Sequence, residues 1–177
     1  IDEQRTMFNP QLWPDGGQFT GPPFKKRDPV PQDLKEVWFS GVHGDVGGGY
    51  SEDRSAQAKL PLIWMIREME AIGLDFYAPT VKKIVLGEDE DYPQYVKPGV
   101  RQELNDSMTA AWRLVEFLPR RIPSTSFRER GRKGCYFPFS DRRLIPQDAT
   151  IDESVYRRMD EHDDYRPKNL PGRPGGE

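Results

Sequence analysis

Proline and glycine limit what this chain can fold into more than any other feature of its sequence. The 177 residues include 17 prolines and 16 glycines. Proline cannot continue a helix interior or a central strand, and glycine weakens both. The two residue types are dense between positions 9 and 33 and again from 167 to 177. We therefore predict long loops between few regular elements, and an extended or disordered tail at 167–177.

The spacing of apolar residues predicts two strands and three helices. In chain order these are a strand at 37–42, a helix at 61–72, a strand at 81–86, a helix at 101–118 and a short helix around Ile151, Val155 and Met159. A turn at 43–50, with three successive glycines, should end the first strand. Because a sheet usually has about five strands or more, we expect one side of a larger α/β domain.

Composition excludes several classes of protein. Cys135 is the only cysteine, which rules out an internal disulfide and a four-cysteine zinc site. No stretch reaches the roughly 18–20 apolar residues of a membrane-spanning helix, so we expect no integral membrane protein. The net charge of −3 does not favour nucleic acid as a partner. The chain begins at Ile1 with neither an initiator methionine nor a signal-peptide pattern, and we expect a processed chain or a fragment.

Basic residues are concentrated between Arg120 and Arg143, where eight arginines and lysines stand against two acidic residues. Blocks of charge usually solvate a surface or pair with one another, here with the acidic segment 148–164. The second interpretation is that the basic block contacts the anionic headgroups of a phospholipid membrane.

His43 is the strongest candidate for chemistry. It directly follows an apolar strand, and open α/β sheets bind their ligands at that edge. An imidazole there can accept a proton from a nucleophile and return it to a leaving group. Gly47, Gly48 and Gly49 would let a nucleophile or a substrate come close to the ring. On spacing alone, however, a single histidine after a strand is more often structural than catalytic.

The segment EVWFSGVHGDVGGGY at 36–50 resembles the strand-and-histidine motif of a hydrolase family, the phospholipase effectors of bacterial type VI secretion systems and their fungal relatives. Other stretches resemble blocks of that family in the same order. They are Asp2-Glu3-Gln4-Arg5 with Phe8, Pro10, Leu12 and Trp13; Leu60 to Met65 with Gly73-Leu74; Asp106-Ser107 with Trp112 and Glu116 to Arg121; and Glu153-Ser154-Val155, Arg158 and Tyr165 to Pro171.

The resemblance implies that residues 1–166 are the C-terminal part of an α/β-hydrolase domain with a mostly parallel sheet and flanking helices. Family members carry a G-x-S-x-G nucleophile and then an aspartate, both upstream of this region, in the chain order of α/β-hydrolases. None of the serines here lies in G-x-S-x-G; the stretch 49–53 comes nearest and lacks the final glycine. The implied function is hydrolysis of phospholipid acyl esters by a Ser-His-Asp mechanism, with His43 as the histidine, and we expect this isolated chain to be inactive.

The same resemblance implies a lipid or ester substrate, an immunity or secretion partner and no cofactor. It places the protein in the cytoplasm or exports it without a cleavable signal. The family usually has histidine where this chain has Asn105 and Asp152, and we interpret both positions as peripheral.

Asp45 has two interpretations. It could be the acid that orients His43, two residues away, although this departs from the usual chain order. We favour the other, in which it accepts hydrogen bonds from amides of the glycine run. Gly47, Gly48 and Gly49 should then shape the wall behind His43, with a role as oxyanion donors as the alternative.

Two rival functions use the same residues. A metal site built from His43 and Asp45, with Glu52 or Asp53, is disfavoured because zinc usually takes more histidine or cysteine. A docking module that has lost catalysis would explain the missing serine and aspartate, and it would bind a partner or a lipid surface.

Overall fold

The computed structural model describes residues 1–5, 7–8, 10, 12, 18–19, 30–31, 33–121, 135–140 and 142–171. Within these ranges the elements are β1 (Gln18–Phe19), β2 (Val30–Pro31), β3 (Val37–Trp38), α1 (His43–Gly47), α2 (Lys59–Ala71), α3 (Ala78–Thr80), α4 (Ala110–Val115), β4 (Arg120–Arg121), β5 (Cys135–Tyr136), β6 (Thr150–Ile151) and α5 (Glu153–Glu161). A 3-10 turn at Glu52–Arg54 follows α1, and a π-helical turn at Val81–Val85 follows α3.

A parallel pair of strands organises the part of the fold that carries His43. β3 and β6 pair in parallel, with Val37 opposite Thr150 and Trp38 opposite Ile151. β1 pairs with β2, and β4 with β5, both antiparallel. The described residues thus combine helices with a small parallel sheet. The larger parallel sheet of an α/β-hydrolase stays a prediction.

The described core lies beside this parallel pair. Ile1, Ile145 and Val155 are buried together, and Val155 on α5 is fully enclosed. The partly buried side chains that pack against them are Trp38, Ala149, Ile151, Tyr165 and Leu170. Residues from both ends of the chain therefore close over β3 and β6, and burial of this apolar surface is what stabilises the arrangement.

The segment 1–2 is fixed by backbone hydrogen bonds to the chain that leaves β3. The main-chain nitrogen of Ile1 donates to the carbonyl of Phe39 at 3.0 Å, and the amide of Asp2 donates to that of Gly41 at 3.0 Å. From the other end of the chain, Asn169 donates to the carbonyl of Ile1 at 3.0 Å. Glu3 and Phe8 thereby lie beside the start of α1, where His43 is.

Two of the helices predicted from periodicity are confirmed. α2 covers the predicted segment 61–72, although Pro61 is its third residue rather than its first. α5 covers the predicted short helix around Val155. The predicted strand at 37–42 is shorter, because pairing ends at Trp38 and the backbone turns at Gly41, whose φ is 104°. The predicted turn at 43–50 opens with one helical turn, α1, before Gly48 and Gly49 reverse the chain.

Two predictions of secondary structure are wrong. Residues 81–86 are helical rather than a strand, because Pro79 starts a helical turn that runs on through Val85. The predicted helix at 101–118 is reduced to α4, Ala110–Val115. Its first half is irregular because the backbone and side chain of Asn105 bond to Asp45 instead of continuing a helix.

Asp152 is the residue that starts α5. Its carboxylate accepts a hydrogen bond from the amide of Ser154 at 2.9 Å, which satisfies one of the free N–H groups of the first turn. Asp152, one of the two positions interpreted as peripheral, thus serves as a helix cap.

Replacing this cap with alanine should destabilise the fold. We expect Asp152→Ala to lower the free energy of unfolding by about 1 kcal/mol, because the amide of Ser154 loses its acceptor. Asp152→Asn is the matched control, since asparagine caps helices as well as aspartate does. Urea denaturation measures both variants, and an equal loss in the two would contradict the capping role.

Among the helices of the described residues, none combines the length and the apolar character that crossing a lipid bilayer requires.

Candidate functional site

His43 is the first residue of α1, directly after the chain that continues β3. Val42, which precedes it, is buried and anchors the backbone. The imidazole itself is 47% exposed, and its ring meets the edge of Phe8 with centroids 4.7 Å apart. His43 therefore has a fixed backbone and a ring that solvent or a second group can reach.

A buried carboxylate lies on one side of this imidazole. Glu3 is only 1% exposed, and its Oε2 lies 3.9 Å from Nδ1 of His43. The same oxygen accepts the backbone N–H of His43 at 3.4 Å. In the sequence Glu3 stands out only as part of the segment Asp2 to Arg5, and its contact with His43 depends on the fold.

Arg5 keeps Glu3 ionised. Its guanidinium donates through Nε to Oε1 at 2.9 Å and through a terminal nitrogen to Oε2 at 2.8 Å, and its backbone N–H adds a third bond at 3.0 Å. Burial by itself would raise the pKa of Glu3, but the bonds from Arg5 and from the His43 amide outweigh it and lower the pKa to about 2. Glu3 is therefore negatively charged throughout the neutral pH range.

Opposing charges act on His43 itself. Burial lowers its pKa, and the positive charges of Arg143 and Arg5 act in the same direction. The negative charges of Glu3 and Asp45 raise it. The net effect is a pKa below the ordinary value of histidine, so the imidazole is neutral at physiological pH and is able to accept a proton.

This balance predicts the titration of His43. In an NMR titration of the imidazole carbon-bound protons, His43 should lose its proton at a pH below the histidine reference of about 6.5. His162 is the only other histidine and gives the second resonance set, which His162→Gln assigns. A His43 pKa above the reference value would contradict the dominance of burial.

Phe8, which contacts the His43 ring, also packs against Arg5 and Trp112. The Arg5 guanidinium lies 4.1 Å from the ring centroid of Phe8 and 5.5 Å from that of Trp112. Phe8 and Trp112 meet edge to face at 6.0 Å, and Arg143 donates to the carbonyl of Phe8. Stacking of this kind holds a guanidinium in one orientation, which in turn holds the carboxylate that it binds.

Asp45 has different neighbours from those expected. It is 1% exposed, and its Oδ2 accepts the amides of Val42 at 3.0 Å and of Asn105 at 3.2 Å. Its Oδ1 accepts the side-chain amide of Asn105 at 2.5 Å. Its described bonds are thus to Val42 and Asn105 rather than to the glycine run, and they tie α1 to the segment before α4. Any direct role of Asp45 at the site stays a prediction.

The glycine run is open to solvent. Gly47, Gly48 and Gly49 are exposed, and a methyl group added at any of them would meet no other atom within 4 Å. Gly48 and Gly49 adopt positive φ angles of 81° and 112°, which glycine takes without strain. This free space would allow a substrate to approach α1 at the glycine run. That the three glycines shape the substrate site remains a prediction.

Of the two glycines in α1, only Gly44 lies where the neighbouring side chain leaves no room for a Cβ. A Cβ there would lie 2.5 Å from a ring carbon of Tyr50, whereas Gly47 on the same helix has open space. We expect Gly44→Ala to cost about 1–3 kcal/mol of stability, because the Tyr50 ring has to move.

Gly47→Ala is the control for Gly44→Ala, and it should leave stability unchanged or slightly higher, because alanine favours helix over glycine. Thermal denaturation compares the two variants. Similar melting temperatures for both would show that Tyr50 does not pack against Gly44.

The other candidate residues do not converge on His43 as a metal site would require. Among the described residues, no group of three or more histidine, cysteine, aspartate or glutamate side chains is placed to hold a metal ion. Glu52 instead accepts a hydrogen bond from the buried Lys59 at 2.6 Å. A cavity of about 320 Å³ lies elsewhere, between α5 and the segment 166–171, and residues of the His43 cluster do not line it.

The basic block between Arg120 and Arg143 is described only at its ends. Arg142 pairs with Asp2 at 2.7 Å, and Arg143 bonds to the carbonyl of Phe8, so these two face the protein. The side chains from Arg120 to Lys133 lie outside the described residues, as do Trp13 and residues 172–177 of the tail predicted at 167–177. Contact of this block with a membrane stays a prediction.

The described part of that tail, 167–171, is not disordered, because Leu170 packs against the core and Asn169 bonds to Ile1.

Comparison with known proteins bears on the first part of the chain. Residues 1–68 match the family described as "T6SS, Phospholipase effector Tle1-like, catalytic domain". Comparison with curated proteins and with solved structures gives no match.

Residues 1–68 thus resemble the catalytic domain of a phospholipase effector of type VI secretion. The resemblance inferred from the histidine motif is confirmed over that stretch, which holds Glu3, Arg5, Phe8 and His43. The resemblance inferred beyond residue 68 remains a prediction.

Proposed function

We propose that this chain carries the general base of a serine phospholipase, and that His43 is that base. The observation that supports this most directly is the position of His43. It is a neutral, half-exposed imidazole on a rigid strand-to-helix turn, inside the region that matches a phospholipase catalytic domain. The proposed substrate is the acyl ester of a phospholipid.

In the proposed mechanism a serine upstream of this chain attacks the acyl carbonyl carbon. The Nε2 atom of His43 takes the proton of the serine hydroxyl as the new C–O bond forms. When the tetrahedral intermediate collapses, the same imidazole gives that proton to the leaving alcohol. Water then hydrolyses the acyl-serine by the same two steps, and an upstream aspartate keeps the imidazole in the correct tautomer.

This mechanism requires an imidazole whose orientation is fixed and whose Nε2 is accessible to the serine. Its Nδ1 faces the buried Glu3, and Nε2 lies across the ring from Nδ1. The exposed part of the side chain is then where a serine from another part of the protein can approach. The open space at Gly47, Gly48 and Gly49 gives an acyl chain or the serine loop room beside α1.

The second candidate function is a docking module without catalysis. It is favoured by one observation, that no serine of this chain lies in G-x-S-x-G. The two proposals differ in what they ask of His43. A docking module needs the fold around α1, whereas a phospholipase needs the imidazole itself.

Replacing His43 tests the catalytic proposal. In the full natural protein, assayed on phospholipid vesicles, His43→Ala should lower kcat by roughly 10²–10⁴-fold, because proton transfer loses its base. The matched control is His162→Gln, which keeps a donor toward the carbonyl of Val100, 3.0 Å from the native ring. Its kcat should stay near that of the unsubstituted protein.

Circular dichroism of both variants shows whether the fold is kept. If a folded His43→Ala protein hydrolyses phospholipid at the native rate, His43 is not the base. If the unsubstituted protein hydrolyses no ester, the docking module is the better proposal.

A further inference from the structure

The ionised carboxylate of Glu3 is almost completely buried. An ionised group that is removed from water destabilises a protein unless it is paired and hydrogen-bonded. Glu3 is 1% exposed and receives three bonds from Arg5, one from the His43 amide and one from the hydroxyl of Ser107 at 3.3 Å. Five donors thus converge on a carboxylate that lies 3.9 Å from Nδ1 of His43.

We propose that Glu3 is a positioning residue for His43, which fixes the backbone of the histidine and places a negative charge on the Nδ1 side of its ring. This inference rests on the proposed function of His43 and adds a second carboxylate to it. Glu3 itself touches neither substrate nor nucleophile.

The geometry gives Glu3 two separate effects on His43. The bond from the His43 amide, 3.4 Å long, ties the first residue of α1 to the segment 1–5. The distance of 3.9 Å from Oε2 to Nδ1 is longer than a hydrogen bond, so the carboxylate acts on the ring as a nearby charge. Nδ1 therefore keeps its capacity to donate to the aspartate of the proposed mechanism.

The charge of Glu3 favours one arrangement of protons on the ring. A negative charge beside Nδ1 stabilises a proton on that nitrogen, in the neutral ring as well as in the imidazolium. The neutral ring then has Nδ1–H and a free Nε2, and Nε2 is the atom that has to accept the serine proton. When the imidazolium forms during the reaction, the same charge stabilises it.

Arg5 keeps the Glu3 carboxylate in a fixed position beside His43. Its two-point bond to Glu3 is held in turn by Phe8 and Trp112, whose rings lie 4.1 Å and 5.5 Å from the guanidinium. A carboxylate in such a fork has little freedom to rotate away from His43. The largest charge effects on the pKa of His43 come from Glu3, Arg143, Arg5 and Asp45, and of the two carboxylates Glu3 has the larger effect.

NMR of the 177-residue chain tests the electrostatic part of the proposal. Glu3→Gln keeps the shape of the side chain and removes its charge, and the pKa of His43 should fall below that of the unsubstituted chain. Asp2→Asn is the control, because Asp2 is a buried neighbour paired with Arg142 and is not among the largest influences on the pKa of His43. It should shift the titration of His43 much less than Glu3→Gln does.

The unpaired Arg5 of the Glu3→Gln chain also lowers the pKa of His43, and a double variant separates the two effects. With both Glu3→Gln and Arg5→Gln, the pKa of His43 should still lie below that of the unsubstituted chain, because Glu3 acts on the ring more strongly than Arg5 does. A His43 titration that is unchanged in Glu3→Gln, or equally shifted in Asp2→Asn, would overturn the proposal.

A measurement on the unsubstituted chain applies even if the Glu3 variants do not fold. Long-range ¹H–¹⁵N correlation distinguishes the two neutral tautomers of histidine, and His43 should have its proton on Nδ1 above its pKa. A proton on Nε2 would overturn the proposal, because the ring would then present no free Nε2 to a serine.

Activity of the full natural protein separates this inference from the proposed function. Glu3→Gln should lower kcat by about 100-fold through loss of alignment, and it should shift the acidic limb of the kcat–pH profile to lower pH. Glu3→Asp, which keeps the charge, should recover part of the rate. If His43→Ala abolishes activity while Glu3→Gln leaves both rate and profile unchanged, only the positioning role fails; if His43→Ala stays active, the proposed function fails.

Discussion

Three buried carboxylates, Asp2, Glu3 and Asp45, impose the constraint on which the rest of the site depends. Each is less than a tenth exposed, so each has to be satisfied by donors from elsewhere in the chain. Arg142 and Tyr165 bond to Asp2, Arg5 bonds to Glu3, and Asn105 bonds to Asp45. Segments far apart in sequence are thereby joined around the turn that begins α1. Glu3 and Asp45 also accept the backbone amides of His43 and Val42, so the stability of this turn and the geometry of the candidate site depend on the same carboxylates.

The site combines a rigid support with an open side. The support consists of buried carboxylates that accept several hydrogen bonds each, and such networks specify one arrangement because any alternative leaves a charge unpaired. The open side consists of an imidazole that is nearly half exposed and a glycine run with free space around it. A general base needs both, since it has to be aligned to within a fraction of an ångström and also has to be reached by its partner. A residue with only a packing role would need neither.

The sequence predicts what local pattern determines and misses what distant contacts determine. The helices α2 and α5 follow from apolar spacing, and the position of His43 after a strand follows from the run before it. The segment before α4 has a good helical pattern, but Asn105 satisfies Asp45 sixty residues away, and no local pattern shows that demand. The strand expected at 81–86 fails for a related reason, because β-branched residues there sit on a helical turn begun by Pro79. Glu3 is visible in the sequence as part of a motif, but its role beside His43 depends on a fold that brings residues 3 and 43 together.

The coding sequence immediately upstream of Ile1 tests the central claim, that His43 is the base of a serine phospholipase, most directly. The account predicts an in-frame G-x-S-x-G followed by an aspartate at the end of a strand, because the histidine of an α/β-hydrolase follows both in chain order. A stop codon or an unrelated domain in that position would contradict it, since a single chain could then form no Ser-His-Asp triad around His43.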